Sequence, residues 1–440
     1  MNDPETGSQF PVELQPATMG AQGDAVATFH DQRVFVPFAL PGEAVRAVLQ
    51  RRSGGDLQAG EIEILAPSPD RVAPACRHFG RCGGCKLQHW SAAAYRSWKL
   101  DLVRQALRQH GLDLPARHEA VFLPAGTRRR AEFAARKQAG RVALGFQEAR
   151  GHRIVDQEEC PLLSPALARL VAPLRQALEA VLSEGQAVDI LATATSTGAD
   201  LAVSADRPPT QRQRQALAGF AETQGIARVT WRGDLGRNDP GRGDRGGAEP
   251  IVMLRVPQIA FGEVIVDLPS PSFLQPSEAG EAALRAALLG HVGKAKRIAE
   301  LFAGCGTFTF ALARLGRVHA VEGSKPSLQA LEQAARRAQL ADRISLEGRD
   351  LERAPLTAPE LKPFDTVVFD PPRAGAKAQS EILARSGVPH VVAVSCNPQT
   401  FARDARLLAD GGLHLAALTL VDQFIWSPHV EIVADFRRGR

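Results

Sequence analysis

Three short segments in the last quarter of the chain carry residue types that make and break bonds. Ser395-Cys396-Asn397-Pro398 offers a thiol, Phe369-Asp370-Pro371-Pro372-Arg373 a carboxylate, and Pro428-His429-Val430-Glu431 a second carboxylate. A cysteine alone at a strand end reads as a packing thiol, because cysteine is commonly buried. Followed by Asn-Pro, and with Asp-Pro-Pro-Arg on the preceding apolar run, Cys396 reads as a nucleophile. Glu431 alone would be a solvated charge at a strand start; returning to the edge that carries Cys396, it reads as a general base. A thiol and two carboxylates suit one reaction well. Carbon 5 of uracil is a poor nucleophile toward a methyl sulfonium, and thiolate attack at carbon 6 turns the ring into an enolate that is a good one. A base must then remove the carbon 5 proton so that the thiol can leave. Asp370 and Gln275 would orient the base or the methyl donor. Because the thiol must ionise, the surroundings of Cys396 are expected to lower its pKa.

The elements that must bring these groups together follow from the apolar pattern. Strand candidates at 297–302, 317–321, 344–346, 364–369 and 390–395 are separated by helical segments at about 308–315, 325–339, 376–386 and 399–410. Such alternation predicts an α/β fold with a parallel sheet wound on both faces. Two longer strands, 413–424 and 430–437, are joined by a short loop and predict an antiparallel hairpin. Ligands of such sheets sit at the carboxyl ends of the strands. Asp370 and Cys396 end neighbouring strands there, and the antiparallel last strand starts at the same edge with Glu431.

The first of these strands runs into Leu301-Phe302-Ala303-Gly304-Cys305-Gly306-Thr307-Phe308. Glycines let the backbone turn sharply and approach a ligand at a helix start. Glu322 ends the second strand, 18 residues after Gly304, where an acid accepts hydrogen bonds from ribose hydroxyls. Asp350, after the third, is placed to hold an adenine edge. This grammar serves nicotinamide and S-adenosylmethionine alike; the C-terminal hairpin and the thiol segment favour S-adenosylmethionine. Cys305, inside the turn, reads as a small packing residue.

Upstream, residues 12–66 show short strands and turns, which predict a small β-barrel. Cys76, Cys82 and Cys85 follow within ten residues, and Cys160-Pro161 comes later. Six cysteines in 440 residues make no disulfide framework, and four clustered thiolates suit zinc or an iron–sulfur cluster. A helix is expected at about 91–110, with Leu100, Val103 and Leu107 at helical spacing. Residues 118–270 mix strands and helices and include a Gly/Arg/Asp-rich loop at 232–249. The formal net charge of +5 is compatible with an acidic partner and proves none. The N-terminus has no basic and apolar leader, and no apolar run approaches the ~18 residues of a membrane span. The expectation is a soluble, cytoplasmic monomer.

Taken together, these segments resemble the bacterial RNA uridine-C5 methyltransferases that carry a four-cysteine [4Fe-4S] cluster, and the likeness covers nearly the whole chain. Phe35-Val36-Pro37-Phe38-Ala39-Leu40-Pro41-Gly42-Glu43 is similar to the TRAM barrel, an OB-like RNA-binding module. Phe273-Leu274-Gln275-Pro276 is similar to a motif whose glutamine lies at the methyl-transfer site. The resemblance implies a TRAM/OB-like barrel over 1–68, a central iron–sulfur α+β domain over 69–270 and a Rossmann-like class I methyltransferase domain over 271–440, with the 91–110 helix able to pack on the last. It implies S-adenosylmethionine contacts at Gln275, Phe302, Thr307, Glu322, Asp350 and Asp370, a nucleophile at Cys396, a base at Glu431, and cluster ligands at Cys76, Cys82, Cys85 and Cys160. Thr307 stands where the family often has Asn.

Binding RNA requires phosphate neutralisation and an exposed base. Arg128, Arg129, Arg130 and Arg136 are the phosphate-contact candidates, and Phe273 and His429 the candidate neighbours of a flipped uracil. By the resemblance, 23S ribosomal RNA is the favoured substrate and transfer RNA the second. RNA cytosine-C5 methylation uses the same thiolate, but that family tends to place Cys after Asp-Pro-Pro, where this chain has Arg373. A non-catalytic iron–sulfur RNA-binding protein or an electron carrier would leave Cys396 and Glu431 without a role.

Overall fold

The computed structural model describes residues 10–52, 54–233, 249–270 and 272–439. Most of the Gly/Arg/Asp-rich loop, 234–248, lies outside the described residues. The chain forms two compact units. One runs to Leu102 and adds Gln147–Arg153 and Phe424–His429; the other holds Val103–Phe146, Ile154–Gln423 and the chain from Val430 onward.

The first unit contains a six-stranded sheet ordered Val12–Leu14, Ala44–Arg51, Leu57–Ala66, Gln32–Val36, Ala25–Phe29, Thr18–Met19. Period-two burial drives it: along Ala44–Arg51, Val45, Ala47 and Leu49 are buried while Arg46, Val48 and Gln50 are exposed. The helix Ala92–Gln109 begins in this unit.

The second unit carries two large sheets. A seven-stranded, mostly antiparallel sheet includes Arg130–Gln138, Ala187–Thr195 and Gly198–Ala205. Helices Val171–Val181 and Gln211–Gln224 share its apolar core through Leu174, Leu178, Leu217 and Phe220. The other sheet has eight strands in the order Ile344–Gly348, Arg317–Glu322, Arg297–Leu301, Thr366–Phe369, His390–Ser395, Glu431–Arg438, Leu413–Asp422, Arg117–Phe122. Its first five strands are parallel, and Glu431–Arg438 runs antiparallel to both of its neighbours. The central strands are largely apolar because helices cover both faces; all six residues of His390–Ser395 are buried.

The eighth strand departs from the sequence reading. Arg117–Phe122, which the sequence places with the central domain, pairs in parallel with Leu413–Asp422 at the sheet edge. Thr419 ties the pairing down, its hydroxyl donating to Glu119 at 2.9 Å and lying 3.0 Å from His291 Nε2. Among the described residues no helix is long and apolar enough to cross a membrane.

Candidate active site

The strand register builds the reactive corner. Ser395 is the last residue of its strand to pair, opposite Ile432, so Cys396 and Glu431 are the next residues on two hydrogen-bonded strands. Phe369 pairs with Ala393 on the other side, which brings Asp370 to the same end of the sheet. Asn397 then caps the helix Pro398–Asp410, its side chain accepting from Gln399 N–H, and its amide donates to the Arg373 carbonyl at 3.2 Å. The Asn-Pro that follows the thiol therefore starts a helix and anchors the Asp-Pro-Pro-Arg turn beside it.

The electrostatics of this corner are set by desolvation. Burial alone pushes the Asp370 carboxyl up to about 7. Burial, then the Asp370 charge, pushes Glu431 up to about 8, with a hydrogen bond from Gln423 pulling the other way. A base that titrates near neutrality is matched to proton abstraction. Cys396 corrects the sequence expectation. Burial first, and then the Glu431 and Asp370 charges, push its thiol up to about 11, opposed by Arg373. The two carboxylates and the burial that suit the reaction outweigh the single nearby guanidinium, so the chain by itself holds the thiol protonated.

The glycine turn is held open by Glu322. One carboxylate oxygen accepts from Gly304 N–H at 2.8 Å and the other from Ser324 N–H at 2.6 Å. Each oxygen keeps a lone-pair site for a further donor. Phe302, Gly304 and Gly306 all have left-handed backbone, with φ of 63°, 56° and 100°. At Gly306 a side chain is excluded on space as well, since a Cβ would lie 2.5 Å from the Phe310 ring. Thr307 is partly buried. Cys305 is buried with its sulfur 3.1 Å from Ser272 Oγ, as a packing residue should be. Asp350 is exposed and caps its own turn, accepting from Glu352 and Arg353 N–H. These groups fit a nucleoside-bearing methyl donor: a sharp loop, an acid at the ribose position and a second acid beyond it.

Gln275 is buried, and the arginine run holds it. Arg129 N–H donates to the Pro276 carbonyl at 2.8 Å and Arg129 Nε to the Gln275 carbonyl at 3.1 Å. The Arg129 guanidinium pairs with buried Glu281 at 2.5 Å. Arg129 is thus taken out of the phosphate-contact set, because its charge is spent inside the protein. Arg130 is half-buried with its guanidinium 5.9 Å from the Phe273 ring centre, and Phe273 is 70 % exposed. Arg128 is half-buried and Arg136 exposed. His429 falls in the first unit, where Lys99 Nζ donates to its carbonyl. Sequence reasoning missed Glu281 and Gln423. The signal for the latter was a polar Asp-Gln pair closing an apolar strand where Glu431 returns.

The cysteine segment is organised by its own backbone. Cys76 N–H donates to Gln88 Oε1 at 3.0 Å, Gly84 N–H to Cys82 Sγ at 3.4 Å, and Cys82 bridges to Glu148. None of the four candidate ligands is in a disulfide among the described residues, so the donor chemistry suits a soft metal centre. The arrangement does not: among the described residues no three His, Cys, Asp or Glu side chains are grouped to hold a metal ion. Cys160 belongs to the other unit.

A family model described as tRNA (uracil-5-)-methyltransferase matches residues 256–436. An RNA methyltransferase of Agrobacterium fabrum, described as uncharacterized, is 43% identical over 95% of this chain and 97% of its own length. The 23S rRNA (uracil(1939)-C(5))-methyltransferase RlmD of Halomonas elongata is 36% identical over 97% of this chain and 89% of its own. Among solved structures, the Pyrococcus abyssi tRNA (uracil-54, C5)-methyltransferase in complex with S-adenosyl-L-homocysteine superposes with a TM-score of 0.75 over 97% of this chain and 100% of that one, at 22% identity. That likeness is one of fold, and it is the class I methyltransferase fold.

Proposed function

Because this chain belongs to the RNA uracil-C5 methyltransferase family and is an S-adenosylmethionine-dependent enzyme, we propose that it methylates carbon 5 of a uridine in 23S ribosomal RNA through a covalent adduct on Cys396. The observation that carries this reading is the convergence of the Cys396 thiol with the Glu431 and Asp370 carboxyls at the carboxyl end of one sheet. S-adenosylmethionine supplies a methyl group on a cationic sulfur. Gln275, Phe302, Thr307, Glu322, Asp350 and Asp370 would hold it. Cys396, once its proton has left to solvent, forms a bond from sulfur to carbon 6 of the uracil and leaves the ring an enolate. The enolate pair at carbon 5 would form the bond to the methyl group, whose old bonding pair stays on the donor sulfur and leaves it neutral. Glu431 takes the carbon 5 proton; that bonding pair restores the ring double bond, and the sulfur–carbon bond breaks to return the thiolate.

Arg128, Arg130 and Arg136 are the proposed phosphate contacts, and exposed Phe273 with His429 the neighbours of the flipped base. Spacing and thiol chemistry support Cys76, Cys82, Cys85 and Cys160 as residues that would hold a [4Fe-4S] cluster. The protein is proposed to act as a cytoplasmic monomer. The relative from Halomonas elongata favours ribosomal RNA; the family description names tRNA and makes transfer RNA the second candidate.

Incubation with labelled S-adenosylmethionine and separate pools of unmodified ribosomal and transfer RNA tests the reading. The expected product is 5-methyluridine in 23S RNA. Label in transfer RNA moves the substrate, and label in 5-methylcytidine overturns the base. Cys396→Ala should abolish methylation while binding of the methyl donor survives; turnover by that variant removes the covalent route. Anaerobically purified protein should carry about four irons per chain, and stoichiometric zinc would replace the cluster assignment.

A further inference from the structure

Gln423 belongs to none of the segments that carry the chemistry, yet it is buried and its amide nitrogen is shared between two of them. Nε2 donates to Gln275 Oε1 at 2.7 Å and to Glu431 Oε1 at 3.2 Å. An amide nitrogen has two hydrogens, and both are committed here. Its own oxygen is buried with no hydrogen-bond partner among the described residues. Buried amide oxygens are ordinarily paired, so the position of this one is dictated by what the nitrogen holds. Reversing this amide alone would aim its oxygen at the Gln275 oxygen, which repels it.

Each partner is left in a defined state. The Gln275 amide has its oxygen occupied, so its Nε2 is what it offers elsewhere. Its backbone is already fixed by Arg129. Glu431 has one carboxylate oxygen held and the other available. The space for this arrangement comes from a third element. Gly280, in the first turn of the helix Glu278–Val292, faces Gln423 so closely that a Cβ there would fall 2.3 Å from its amide oxygen and 2.8 Å from its Cβ.

We propose that Gln423 is a positioning residue that couples the two halves of the reaction: one amide group fixes both the base and the glutamine that faces the methyl donor. The inference rests on Glu431 as the base, as proposed above.

The test compares Gln423→Met, Gly280→Ala and Glu431→Gln in the full chain, with whichever of unmodified 23S ribosomal or transfer RNA accepts methyl. Methionine keeps the length and burial of Gln423 without its donor. Gly280→Ala keeps the amide and drives a methyl group into it from another element, where alanine itself favours the helix. The readouts are single-turnover formation of a denaturation-resistant protein–RNA adduct and the rate of 5-methyluridine release. Both variants should form the adduct at the wild-type rate and release product about tenfold more slowly, the worth of one hydrogen bond to a charged group, so that adduct accumulates. A packing defect would slow formation and release together, and that result overturns the coupling, as does wild-type release in Gln423→Met. Glu431→Gln separates the two layers. Adduct trapped there with normal release in Gln423→Met overturns the coupling alone; no trapping in Glu431→Gln overturns the base and this inference with it.

Discussion

At the scale of single residues, charge and burial are set against each other around Cys396. The Glu431 and Asp370 charges add to burial in holding the thiol up, so removing one charge should release it. In Glu431→Gln, alkylation of Cys396 by iodoacetamide, followed by mass spectrometry of its peptide, should reach a given rate at lower pH than in the wild type. An unchanged or higher pH would show that the carboxylate does not face the thiol. Arg129 poses the opposite case. Its partner Glu281 is buried, and Arg129→Met would leave that carboxyl with Arg285 alone, 3.1 Å away. Breaking a buried pair from one side costs about 3–5 kcal/mol. Because Arg285 still pairs with Glu281 and burial already pushes that carboxyl up, so that it can also protonate, a cost below that range is expected. Denaturant unfolding checks the stability. A weaker affinity for S-adenosylmethionine, read by calorimetry, checks the loss of the clamp on Gln275. Stability and affinity both at wild-type values would remove the clamp.

At the scale of elements, the glycine turn carries the sharpest expectation. Gly306→Ala combines a φ of 100° with a Cβ 2.5 Å from the Phe310 ring, so the loop must shift. Binding of S-adenosylmethionine should weaken at least tenfold, on the order of 1.4 kcal/mol, while the far-UV spectrum stays native; unaltered affinity would place the donor elsewhere. This turn and the strands around it were legible in the sequence because apolar runs of strand length alternate with helices of period 3.6, and the observed strand Arg297–Leu301 falls within the expected 297–302. The reactive corner was legible for the same reason: the carboxyl end of a parallel strand is a defined place. Arg117–Phe122 was not. It is an edge strand of largely polar, exposed residues, Arg-His-Glu-Ala-Val-Phe, and no local pattern says which sheet it joins. The role of Arg128-Arg129-Arg130 was equally hidden. A run of arginines reads as a solvated or phosphate-binding face, and only the fold reveals that Arg129 meets Glu281 from a helix some 150 residues away. Gln423 left only the faint signal of a polar pair at a strand end, because its two partners come from a separate strand and a loop.

At the scale of the whole molecule, burial pushes several carboxyls up toward neutral pH and beyond. Burial pushes Glu300 up to about 8, alongside Asp370 at about 7 and Glu431 at about 8. Each binds a proton in the fold where the unfolded chain has released it. Their contribution is fully present below the ordinary carboxylate range and is lost as pH rises toward about 8. Buried His89 and His291, both lowered, act the other way, but their contribution is complete above about pH 6.5. From about pH 6.5 to 8.5 the melting temperature should therefore fall. Glu300→Gln, which cannot ionise, should fall less steeply, and parallel slopes for the two proteins would remove Glu300 from the account. The edge strand gives the molecule a further property, one of timing. Glu119 and Thr419, hydrogen-bonded across the last pairing of the eight-stranded sheet, are 300 residues apart in the chain. At ribosomal speeds of about 5–20 residues per second, Arg117–Phe122 waits roughly 15–60 s after synthesis for the hairpin it pairs with. A chain released before that hairpin leaves the strand with no place to dock, so the sheet that bears Cys396 and Glu431 is complete only after Glu431–Arg438 has been made.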